Sequence, residues 1–260
     1  MKESAQDAVC FDYADILDEM RSISDDAREF LAGDTSKAIG ALVGDLMRYQ
    51  QANTDRKHAW ETVPHTQIRT KSNEGAHQGK SKGVNLYGTV DFKWEIRNTS
   101  LGQRRKKRQR YTNFQLAGVA STTIKLWHSG KQEAQDNGGT GYVVGCWNLD
   151  VGNHESPGCH FHVQIPEKSE PWQYPIDIPR WPSLLLTPAD AVDFVLGELF
   201  QQEWRRHRRA ANSSWRNIQQ QRLEKLATWI QERIKKADEP PWLHFKFAKP
   251  PNKLFLRKTR

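Results

Sequence analysis

Two histidines stand two residues apart in the run Cys-His-Phe-His-Val-Gln-Ile, from Cys159 to Ile165. Imidazole changes charge near neutral pH, so His160 and His162 are candidates for the base and the acid of a phosphodiester cleavage. The preceding stretch adds Asp150 and His154. Folded toward the strand, Asp150, His154, His160 and His162 make an imidazole and carboxylate set suited to a divalent transition metal. Two histidines at this spacing are a weak motif, and separate hydrogen bonds explain them more economically, so no metal or other cofactor is assigned.

A second chemistry is cationic. Arg104, Arg105, Lys106, Lys107, Arg108 and Arg110 put six cations into seven residues, enough to grip several phosphates. Arg205, Arg206, Arg208 and Arg209 form another cluster beside Trp204, at a helix C-terminus where they also favour the helix dipole. Further along, Arg216, Arg222, Lys225, Arg233, Lys235 and Lys236 read as a solvated helix face. Tyr111 and Trp127 are candidates for stacking on unpaired bases. Glycine-rich phosphate loops, dinucleotide fingerprints, Cys-x-x-Cys pairs, His-Glu-x-x-His helices and Gly-x-Ser-x-Gly elbows are all absent from the sequence, which removes the commonest nucleotide-binding and hydrolase plans.

The elements that must position these groups follow from periodicity. Apolar residues from Ala5 to Leu31 recur with a helical spacing that breaks at Gly33-Asp34. Ile39, Leu42, Val43, Leu46 and Met47 define a second helix, capped by Asp34 or Thr35. Ala52 to Gly83 is polar and reads as a long loop or linker. Leu86, Val90, Phe92, Trp94 and Ile96 alternate with polar residues as in a half-buried strand, and the basic run is the tip of a hairpin returning through Tyr111 to Val119. Thr122 to His128, Tyr142 to Asp150 and His160 to Ile165 complete an antiparallel meander of about five strands. In the last of these His160, His162 and Gln164 share one face, toward solvent, a cleft or a partner helix, and Phe161, Val163 and Ile165 share the buried one.

After a proline-rich stretch, Thr187-Pro188-Ala189-Asp190 starts a helix whose stripe holds Val192, Val195, Leu196, Leu199 and Phe200. A last long helix, about Ser213 to Ala237, carries Trp215, Ile218, Leu226, Trp229, Ile230 and Ile234. Trp242 to Phe247 has the alternation of an edge strand, and the final basic residues, Arg257 to Arg260, are read as solvated. The fold class is therefore α+β: an antiparallel sheet packed by two long C-terminal helices, with an N-terminal helical region. Three regions are expected, namely acidic helices at 1–52, a linker at 53–83 and a basic α+β domain at 84–260.

Charge is divided along the chain. Residues 1–60 hold 7 Lys+Arg against 12 Asp+Glu, and the remainder holds 32 against 19, within a net charge of +8. A basic body of this kind meets a polyanion or docks its own acidic part. Three cysteines, no apolar signal core and no membrane-length apolar run imply a cytoplasmic protein with reduced thiols. The leading expectation is a nucleic-acid-binding protein gripping phosphates through the hairpin tip and helix-end arginines, with RNA favoured over DNA. One alternative is a phosphodiester-cleaving toxin or defence effector built on His160 and His162. The other is a subunit of a larger protein complex, docked through the acidic helices and the segment from Pro171 to Pro182.

Overall fold

The computed structural model describes residues 9–72, 85–100, 110–129, 142–151, 160–164, 181–210, 214–238, 240 and 249–257. In chain order these form β1 (Cys10–Asp12), α1 (Tyr13–Asp26), α2 (Thr35–Ala52), β2 (His58–Glu61), β3 (Ile68–Arg69), β4 (Asn85–Thr99), β5 (Asn113–Ser129), β6 (Tyr142–Val151), β7 (Phe161–Gln164), β8 (Trp181–Pro182), α3 (Pro188–Ala210) and α4 (Ser214–Lys235). The fold is α+β. Its antiparallel sheet runs β2-β4-β5-β6-β7-β8, with β1 added to β5 and β3 to β4.

Three sequence expectations change. The segment from Ala5 to Leu31 is not all helix: Cys10 to Asp12 pair with β5, and α1 begins at Tyr13. Tertiary packing overrides the helical spacing here, because strand alternation sends Phe11 against Trp94, with ring centroids 5.5 Å apart. The polar stretch expected to be a linker supplies β2 and β3, both paired with β4. A single residue anchors it: Trp60 is fully buried opposite Trp94, and its indole donates to the Leu42 carbonyl at 3.0 Å. Finally, the segments read as two strands, Tyr111 to Val119 and Thr122 to His128, belong to the single strand β5. The register slips between Trp94 and Ile96, which places three β5 residues, Ala117, Gly118 and Val119, opposite Glu95 alone.

Strand parity puts Val90, Phe92, Trp94, Ile124, Leu149 and Phe161 on one face, and all six are buried in one core cluster. The helices lie on that side. α3 comes so close to β4 that a Cβ on Gly88 would stand 2.3 Å from the Val195 side chain, and Trp60 ties α2 to the same face. The predicted start of α3 holds, since Thr187 Oγ1 accepts from the Asp190 amide at 3.2 Å while Asp190 accepts from the Thr187 amide at 3.0 Å. Gln201, at φ 40°, interrupts α3 between its sheet-covering half and its arginine-rich end.

Much of the N-terminal acidity is satisfied within the chain. Asp26 accepts from the Trp215 indole at 2.8 Å, and Asp45 pairs with His58 at 2.8 Å. Glu19 of α1 meets Arg222 of α4 at 2.6 Å, and both are buried. Arg222 is therefore not part of a solvated face. Arg257 is not free in solvent either, because its backbone and side chain bind Asp12 and Asp15. Trp242 to Phe247, the expected edge strand, lies outside the described residues, and no described helix is long and apolar enough to cross a membrane.

Candidate functional site

With the helices on one side, the other face of the sheet carries the polar half of each strand. Asp91, Thr123, Asn148 and Gln164 stand in register across β4, β5, β6 and β7, and Lys93, Ser121, Asp150 and His162 form the next row. Side chains in register on one face are close enough to bond. Thr123 donates to Asn148 at 2.9 Å and Gln164 to Asp150 at 2.7 Å. Gln67, from the edge segment, reaches both oxygens of Asp91 at 2.9 and 3.1 Å. An open cleft of about 460 Å³ lies over this end, between the β2 to β3 segment and the rows of Asp91 and Lys93.

The opposite end of the same face is aromatic and cationic. Tyr87 and Trp127 are cross-strand partners whose rings lie parallel within 6° at 6.2 Å between centroids, an offset stack. The Arg69 guanidinium sits 4.0 Å from the Tyr87 ring centre, and the Lys125 ammonium 5.9 Å from that of Trp127. The Trp127 indole donates to Thr89 at 3.0 Å, which fixes its orientation. Tyr87 is buried and Trp127 half-buried, so part of the indole stays open to solvent.

His162 lands on this face as strand alternation requires, but it is 2% exposed rather than open to solvent or a cleft. Its Nε2 is 3.9 Å from Asp150, too long for a hydrogen bond yet close enough to attract when the ring is protonated. His160 is half-buried and packs edge-on against Phe161. The structure thus unites Asp150 with His162, while His154 lies outside the described residues. No group of three or more His, Cys, Asp or Glu among the described residues is placed to hold a metal.

The cations separate as well. Arg104, Arg105, Lys106, Lys107 and Arg108 lie outside the described residues, and Arg110 is exposed at the base of the hairpin loop. Arg205, Arg206 and Arg209 are exposed on the helical side. Arg208 turns inward instead. Its guanidinium lies 3.7 Å from the Trp215 ring centre and pairs with Asp193 at 3.3 Å; burial pushes its pKa down, and Asp193 opposes that shift. Tyr111 packs against the core, and its carbonyl accepts from Gln50, so of the two proposed stacking rings only Trp127 is on the open face.

Sequence reasoning missed Arg69, Tyr87, Gln67 and Asp91. The available signal was register: with Leu86, Val90 and Phe92 already placed on the buried side of a strand, Tyr87 and Asp91 had to share the opposite face. Arg69 and Gln67 had no such signal, because their segment is too short and polar to announce a strand. Comparison with known protein families, characterised proteins and solved structures finds nothing that matches this chain.

Proposed function

We propose that this protein binds single-stranded nucleic acid across the open face of its sheet. The observation that carries this reading is the ladder of Arg69, Tyr87, Trp127 and Lys125, which sets cations beside stacked rings on a face the helices leave uncovered. Bases stack on such rings whatever their identity, and the flanking cations favour the phosphates between them. The basic run from Arg104 to Arg110, which joins β4 to β5 in the sequence, supplies further phosphate contacts in this reading. Arg205, Arg206 and Arg209, on the helical side, supply a separate phosphate-binding surface.

Fluorescence anisotropy with 20-nucleotide single strands, across a salt series, tests this. Trp127→Ala should weaken binding by about ten- to a hundredfold, the stacking value of one base. Neutralising Arg104 to Arg108 should flatten the salt dependence, because fewer counterions are released. Absence of binding at low salt overturns the proposal. A second reading, phosphodiester cleavage, is favoured by the approach of Asp150 to His162; cleavage of the same strands that His162→Ala abolishes would support it.

A further inference from the structure

The open cleft at the other end of the face has a chemistry of its own. Asp91 stands on its floor as a half-buried carboxylate, oriented by Gln67 and approached by the Thr62 hydroxyl at 3.4 Å. An ionised carboxylate has about four lone-pair sites, so these contacts leave it able to accept more. Ser121 and Thr123 line the same cleft, Lys93 and Glu61 pair across its wall at 3.7 Å, and Val63 and Pro64 give it an apolar rim. Thr123 is four residues from Trp127 on the same strand and face, about 13 Å away. One nucleic-acid strand can therefore occupy the stack and the cleft together.

Resting on the proposed function, we infer that this cleft is a ribose-reading subsite and that the strand it takes is RNA. Inside a polynucleotide the 3′ and 5′ oxygens are esterified, so the 2′-hydroxyl is the one free hydroxyl of the sugar. It donates to Asp91, accepts from Ser121, whose hydroxyl lines the same cleft, and leaves Lys93 to meet the adjacent phosphate. Deoxyribose offers no donor. A DNA strand in the same place forgoes the bond to Asp91, and that lost bond is what the cleft selects on.

The test compares anisotropy binding of 20-nucleotide oligo(U) and oligo(dU), which differ only in the sugar, to wild type, Asp91→Asn, Ser121→Ala and Trp127→Ala proteins whose folding is checked by circular dichroism melting. Wild type should favour the ribose strand by about tenfold or more, the value of a hydrogen bond to a charged group. Asp91→Asn should shrink that preference, because a carboxamide oxygen accepts more weakly than a carboxylate, Ser121→Ala should reduce it, and Trp127→Ala should weaken both strands alike. If Asp91→Asn fails to fold, Ser121→Ala decides. Equal wild-type affinity for the two strands, or equal weakening of both by the cleft variants, overturns the ribose subsite and leaves single-strand binding standing. Binding of neither strand overturns both.

Discussion

Arg222 of α4 and Glu19 of α1 meet at 2.6 Å with almost no exposure to solvent, and the same guanidinium reaches Asp190 at the start of α3 at 3.2 Å. Three helices are thereby joined through one cation and two carboxylates. Asp190 also accepts from the Leu186 and Thr187 amides and from Gln219. Among the described residues, Glu19 has fewer partners, Arg222 and the Thr187 hydroxyl. The excess negative charge therefore falls hardest on Glu19.

Removing the cation should be severe. Arg222→Met keeps much of the side-chain volume but leaves two buried carboxylates facing one another, and breaking a buried pair from one side costs about 3 to 5 kcal/mol. Urea denaturation of the variant should show a loss of that size with an unchanged slope. A loss under 1 kcal/mol would mean that water reaches the cluster.

The same cluster makes stability depend on pH. Burial raises the Glu19 pKa from its ordinary value to about 7, against the lowering pull of Arg222 and with a smaller raising contribution from Asp190. A carboxyl whose folded pKa lies above its unfolded one contributes stability that is fully present below the unfolded value, near pH 4.5, and lost as pH rises through about 7. Glu19→Gln removes that titration and keeps the shape. Between pH 5 and pH 8 the wild type should lose stability relative to this variant; parallel curves would refute the raised pKa.

Packing gives a third expectation, at Gly88. A Cβ there would fall 2.3 Å from Val195 and 3.3 Å from Leu199, both fully buried residues of α3. Backbone and helix must separate to admit one. Gly88→Ala should cost about 1 to 3 kcal/mol, and adding Val195→Ala should recover part of it, as coupled neighbours do. Thermal melts of the single and double variants measure that recovery.

These residues also show how far the sequence could be read. The sheet was legible because β4 alternates cleanly, and the start of α3 because Thr187 and Asp190 have capping-box spacing. Arg222 was hidden by its type. It sits seven residues after Trp215 and seven before Trp229, so it fills the gap between Ile218 and Leu226 in the apolar stripe of α4. Glu19 likewise lies between Ile16 and Ile23. A charge at a stripe position signals a buried partner, but the partner is more than 150 residues away and no local pattern names it. The edge strands failed for a different reason: β2 and β3 are short, and β2 is fixed to β4 by one tryptophan, Trp60, opposite Trp94. The open face required the register of four strands at once, which hairpin spacing alone does not supply.

The C-terminal segment separates apparent from real anchoring. Phe255 is buried, stacked on Phe11 at 5.4 Å and 5.7 Å from Phe161, so it closes the core between β1 and β7. Arg257 makes close contacts to Asp15, but its side chain is 58% exposed, and solvent screening holds such pairs to about 0 to 1 kcal/mol. Its backbone amide bond to Asp12 survives any side-chain change. Phe255→Ala should therefore cost about 3 to 5 kcal/mol, and Arg257→Ala should fall within the range of an exposed pair. Urea denaturation of the two variants decides the matter: if Arg257→Ala proves the more damaging, the segment is held by charge rather than by ring packing, and its stability should then fall with added salt, as that of a screened pair does.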